Sequence, residues 1–244
     1  MLPVCDYSKS LAALLSNEQI SIEFDPSVSF AAMDTTDRVI KLNPFILELD
    51  KPNAMERVLV HEVGHALYSN TPENSKQTVD LISKFGKELF NLVEDIRIEN
   101  LLKSKFKGLG PLFTKGFYEL DNLLKDKVGS SVWEVSKETN LFDRVNSFFK
   151  SNETHPIFFS EEEQVAINDL KGLTEVSQLE QCISHLLSLE INTNKDTPQP
   201  INKSSLEVSE IVEDVSQSID KSFLEISDIL KDTLFQKQEN ELNE

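Results

Sequence analysis

The chain has 244 residues, enough for one or two domains with a sizeable core. Its 42 Asp and Glu against 24 Lys and Arg leave a formal net charge of −18, which argues against nucleic acid as a partner, because phosphate backbones attract cationic surfaces. The hydrophobic fraction of 39% is low for a wholly globular chain, so part of it is expected to lie outside any core. No run approaches the roughly 20 apolar residues that cross a bilayer, and no membrane partner is expected. The first residues, Met1 to Asp6, lack a basic segment followed by an apolar run, so no secretory signal is expected. Cys5 and Cys182 stand too far apart in sequence to suggest a disulfide framework or a thiolate site. A cytoplasmic location with reduced thiols is the expectation.

In chain order, residues 7–16 predict a short helix with Leu11, Leu14 and Leu15 on one face. Ile20 to Phe24 alternates apolar and polar side chains, the pattern of a half-buried strand. Residues 28–33 and 38–42 flank the turn-rich Asp34-Thr35-Thr36-Asp37 and predict a hairpin. The sheet edge is either purely structural or a place for an extended substrate to add main-chain hydrogen bonds. Asn53 is the expected cap of a helix that begins near Ala54, after Pro52.

That helix carries Val58-Leu59-Val60-His61-Glu62-Val63-Gly64-His65-Ala66-Leu67-Tyr68. Histidines four residues apart lie one turn apart on a single face, so both imidazoles can bind one metal ion. A glutamate directly after the first histidine is offset from the pair, where its carboxylate can handle a proton without occupying a coordination position. Only four histidines occur in the chain, and two of them fall in this pentad. His155 and His185 stand alone and are expected to be surface or packing residues. The competing reading is an amphipathic core helix that happens to carry two histidines.

A catalytic zinc ion normally takes three protein ligands. Phe90, Val93, Ile96 and Leu101 recur at helical spacing around Asn91-Leu92-Val93-Glu94-Asp95-Ile96-Arg97-Ile98-Glu99 and predict a second helix. Glu94 follows His65 by 29 positions, room for a turn and a returning helix, and is the first choice as third ligand. Asp95 is the rival, or else an outer acceptor that orients a histidine. Arg97 is placed to offset the local negative charge, and Glu99 lies one turn beyond Asp95. The alternative for all three acids is a solvated helix face.

Gly108, Gly110 and Pro111 are expected to break the returning helix, with a new element from about Leu112. Tyr118 lies near Phe113 and Phe117 and reads either as a core residue or as an oxyanion donor. Trp133, Phe142, Phe148, Phe149, Phe158, Phe159, Leu186 and Leu187 predict a helical subdomain, with residues 151–154 as a loop. The polar, proline-bearing stretch from Asn192 to Pro200 reads as a linker. Val208, Ile211, Val215, Ile219, Phe223, Ile226, Leu230 and Leu234 then predict an amphipathic helix. Eleven acids against four lysines in residues 203–244 make its polar face acidic. Such a face disfavours anionic membranes and suits docking on the parent domain, a partner protein, or a tail that folds only in context.

The runs His61 to Tyr68, Asn91 to Glu99, Phe106-Lys107-Gly108-Leu109 and Gly116-Phe117-Tyr118-Glu119-Leu120 together resemble predicted metallopeptidases of the gluzincin type from tailed phages and some bacteria. In that family the peptidase-like region commonly precedes a von Willebrand factor A domain, and it is more distantly similar to cobaltochelatase-associated proteins. The resemblance spans about residues 20–125. It implies a zinc-peptidase fold with His61, His65 and Glu94 as metal ligands and Glu62 as catalytic acid/base. No Asp-x-Ser-x-Ser signature occurs, so the partner domain is expected to be absent or on another chain.

These readings amount to an α+β chain: a small N-terminal sheet with the His-Glu-x-x-His helices, then a mainly helical C-terminal part. The expected divisions are a metallopeptidase domain at 1–125, a helical subdomain at 126–191, a linker at 192–202 and an acidic amphipathic helix at 203–244. The expected function is hydrolysis of a protein or peptide substrate by a zinc-dependent peptidase. The alternatives are a phage assembly protein that keeps the metal-binding fold with little proteolysis, and a metal-handling adaptor. For a phage-encoded protein the location would be the host cytoplasm or the virion.

Overall fold

A computed structural model describes residues 12–13, 20–28, 30–48, 51–69, 75–128, 131 and 133–193. Apart from Ala12 and Ala13, the expected helix at 7–16 lies outside the described residues. So do the linker beyond Thr193 and the acidic helix at 203–244.

The fold is α+β, a three-stranded sheet near the N-terminus followed by helices. Strands β1 (Ser21–Phe24), β2 (Ala31–Asp34) and β3 (Val39–Leu42) lie in the order β1-β3-β2. β2 and β3 form the expected antiparallel hairpin, with Met33 opposite Ile40. Its turn is held by Asp34, whose Oδ1 accepts the N–H groups of Thr36 and Asp37, both at 3.1 Å. Arg38 closes the turn with φ near 56°. β1 runs parallel to β3 with Ile22 opposite Ile40. Ile22 is buried between the exposed Ser21 and Glu23, as period-two alternation requires.

Helices α1 (Pro52–Tyr68), α2 (Ser75–Phe85), α3 (Lys87–Lys105), α4 (Leu109–Val128), α5 (Leu141–Lys150), α6 (Glu161–Lys171) and α7 (Leu179–Thr193) follow, with two short 3-10 segments among the described residues. The chain divides into two compact units. The first contains the sheet, α1 and α4; the second contains α2, α3, α5, α6 and α7. The polypeptide therefore leaves the first unit after Ser69 and returns to it at Phe106.

In the first unit, one core joins Ile22, Ile40 and Leu42 of the sheet to Leu59, Val63 and Ala66 of α1. Another cluster centres on Ile46, Phe117 and Trp133, so Trp133 packs with α4 and not among the helices that follow it in sequence. Gly110 and Pro111, expected as breakers, occupy the first turn of α4, where the missing N–H of proline leaves no helical bond unmade.

In the second unit, α3 is buried on most of its circumference, with Leu89, Phe90, Leu92, Val93, Ile96, Ile98 and Leu102 all inside. Around it pack Leu81 and Phe85 of α2, Phe142, Val145 and Phe149 of α5, Ile167 and Leu170 of α6, and Ile183 and Leu186 of α7. One helix, α2, thus lies between the histidine helix and the helix of the third-ligand candidates, in place of a single turn. Gly86, at φ 82°, supplies the left-handed residue that separates α2 from α3.

Candidate metal centre

α1 begins at Pro52, which suits the first helical position because its fixed φ is already helical. Asn53 is not the cap. Lys51 occupies that position without a side-chain bond, and the acceptor comes from α4, where Glu119 Oε2 takes the Ala54 N–H at 3.0 Å. The Asn53 side chain donates to the other oxygen of the same carboxylate. A carboxylate here also meets the positive end of the helix dipole.

Two further contacts fix α1 against α4. Arg57, buried, donates from Nη1 to the Phe113 carbonyl at 3.0 Å, with its guanidinium over the Phe113 and Phe117 rings. Gly116 lies so close to α1 that an added Cβ would stand 2.5 Å from the Asn53 carbonyl oxygen and 2.7 Å from Arg57 Cβ. The apolar residues of α1 that face the sheet and the Phe117 cluster leave His61 and His65 half-buried on the remaining surface.

The two imidazoles meet edge to face, with centroids 4.9 Å apart and an interplanar angle of 80°. Their Nε2 atoms are 3.2 Å apart. Two nitrogens each about 2.05 Å from one tetrahedral ion stand about 3.3 Å apart, so the pair fits two adjacent ligand positions. Glu62 is buried, at 7% exposure, and among the described residues its carboxylate has no hydrogen-bond or ion-pair partner.

His65 has a local support that the pentad did not announce. Its Nδ1 lies 3.0 Å from Ser69 Oγ. Ser69 is the residue that ends α1, in extended conformation, with its backbone N–H on the His65 carbonyl. Arg38 also caps this end, donating from Nη1 to the Ala66 carbonyl at 2.6 Å.

The acids of α3 are not a solvated face: Glu94 and Glu99 are each 3% exposed. Both Glu94 oxygens are taken by Arg97, one from Nε and one from Nη2, at 2.7 Å each. Arg97, itself 3% exposed, also donates to the Thr174 carbonyl at 3.2 Å. Glu94 thus serves an internal ion pair that ties α3 to the segment before α7. Asp95 meets Lys150, at the end of α5, through Oδ2 at 2.7 Å. Lys103 reaches Asn152 in the turn beyond α5, where Asn152 and Glu153 adopt positive φ of 55° and 63°.

Tyr118, a candidate oxyanion donor, is exposed and stacks edgewise on Phe117. Ser69 and Lys150 went unnoticed in the sequence, and Gly116 and Glu119 entered it only within the run Gly116 to Leu120, with no role assigned; Ser69 had a local signal, its four-residue offset from His65. Comparisons with family models, with curated proteins and with solved structures find no match for this chain.

Proposed function

We propose that the chain is a divalent-metal-dependent peptidase whose ion is held by His61 and His65, with the third ligand among the two acids read from the sequence, Glu94 and Asp95. The observation that carries this reading is the convergence of the two Nε2 atoms at 3.2 Å, beside a buried glutamate without a partner among the described residues. Of the two acids, Glu94 already accepts twice from the buried Arg97, which favours Asp95 as the third ligand. Using Glu94 would take both its oxygens from Arg97, which is 3% exposed. Asp95 pairs with Lys150 at 2.7 Å, where both side chains are more exposed than Glu94 and Arg97.

Zinc is the expected ion, since imidazole and carboxylate donors at tetrahedral spacing suit it, and when bound it would polarise a scissile carbonyl and acidify a water. Glu62 is the group that moves protons: its carboxylate takes one from the attacking water and delivers it to the leaving amine. Ser69 and the α1–α4 contacts hold the histidine helix in register.

The test is metal content, by mass spectrometry, of wild type, His65→Ala and Glu62→Gln, with casein cleavage measured alongside. About one zinc per chain in wild type and Glu62→Gln, lost in His65→Ala, with cleavage by wild type only, is the expected result. Zinc without cleavage in wild type would leave a metal centre and remove the peptidase. No metal in wild type would remove both.

A further inference from the structure

We infer that Ser69 is a positioning residue that sets the tautomer and orientation of His65, so that the Nε2 lone pair is presented beside His61. The inference extends the metal-centre reading above and rests on it for its purpose, but its geometry stands within α1 and the residue that caps it.

Ser69 is tied to His65 twice. Its backbone N–H donates to the His65 carbonyl at 3.0 Å, and its Oγ lies 3.0 Å from His65 Nδ1. The first bond requires only that the chain leave the helix in extended form, which Ser69 does at φ −94° and ψ 146°. The second then places the hydroxyl over the imidazole, because the backbone bond has already fixed where Cβ points. A hydroxyl delivered in this way costs little additional side-chain entropy, since serine has a single heavy-atom rotor.

The consequence is chemical. A neutral imidazole carries one proton, and free histidine places it mostly on Nε2. A ring that is to bind a cation through Nε2 must carry the proton on Nδ1 and needs an acceptor there. Ser69 Oγ is that acceptor, since a hydroxyl oxygen carries lone pairs besides its own hydrogen. With Nδ1–H donating to Oγ, the ring cannot turn about χ2 without breaking the bond. Its Nε2 therefore stays 3.2 Å from His61 Nε2.

The experiment uses the full chain as wild type, Ser69→Ala and Ser69→Thr. Nitrogen-15 NMR of the metal-free protein reads the His65 tautomer, and competition with a chromophoric chelator reads zinc affinity. Wild type and Ser69→Thr are expected to show His65 protonated on Nδ1. Ser69→Ala should return it to the Nε2–H form and weaken zinc binding by about 10- to 100-fold. Thermal unfolding of the metal-free Ser69→Ala protein should stay close to wild type, which separates positioning from a folding role. Equal tautomer populations in wild type and Ser69→Ala would overturn the inference, as would equal zinc affinity. If wild type shows the Nδ1–H form and Ser69→Ala loses it while neither binds zinc, the Ser69 assignment stands and the metal-centre reading falls.

Discussion

Replacing Glu94 by glutamine separates a structural carboxylate from a ligand. In the folded chain both Glu94 oxygens accept from Arg97, each at 2.7 Å, and both residues are 3% exposed. Glutamine keeps the shape but turns one acceptor into a donor facing a donor. One charge-assisted hydrogen bond is lost, worth about 1.5–3 kcal/mol. The guanidinium loses the charge of Glu94 and keeps the Thr174 carbonyl at 3.2 Å; breaking a buried pair on one side costs about 3–5 kcal/mol. The two bounds overlap near about 3 kcal/mol, which for a domain of this size lowers the melting temperature by roughly 10 °C. Replacing both partners with apolar residues, Glu94→Leu with Arg97→Met, should recover most of the loss, because no charge then stays buried. The assay is thermal unfolding by circular dichroism of the metal-free proteins, with zinc content measured on the folded fraction. Glu94→Gln should be destabilised and still bind zinc. A variant that melts like wild type but has lost its zinc would refute the assignment of Glu94 to the ion pair and return it to the metal.

Gly116→Ala gains about 1 kcal/mol of helix propensity, but its methyl would meet the Asn53 carbonyl oxygen at 2.5 Å and Arg57 Cβ at 2.7 Å. The expected net effect is a loss of about 2 kcal/mol in denaturant unfolding; a gain would show that α1 and α4 can move apart freely. Glu119→Ala removes the carboxylate that accepts the Ala54 N–H, and should cost about 1 kcal/mol in the same measurement. Glu163 is buried, which raises its carboxyl pKa, but hydrogen bonds from Arg144 and Ser160 outweigh that and hold it below its usual 4.5. A depressed folded-state pKa adds stability above about pH 4.5 that is lost as pH falls through the folded value. Wild type should therefore lose stability on acidification below about pH 4.5, while Glu163→Gln, less stable at pH 7, should show a flatter acid limb. Parallel limbs would exclude the pair as a contributor.

Local chemistry carried much of this molecule into view. Alternation of side chains located β1, the Asp34–Asp37 turn located the hairpin, and the four-residue spacing of His61 and His65 was sufficient to bring their rings together, because helical geometry alone fixes that distance. The α+β class follows from the same local periods. Glu94 and Glu99 illustrate the limit. Their spacing looks the same on a solvated face and inside a helix buried nearly all round, and only the packing of α2, α5, α6 and α7 about α3 buried them and paired Glu94 with Arg97. Asn53 resembled a cap, yet the acceptor came from Glu119, 65 positions from Ala54. Trp133 looked like part of the helices that follow it and packs instead against Phe117. Sequence by itself determined which residues share a helix face or a strand, since those neighbours lie within a few bonds of one another. Tertiary structure decided which carboxylates are committed to buried cations and which helix caps which, since burial and counter-charge come from segments far away in the chain.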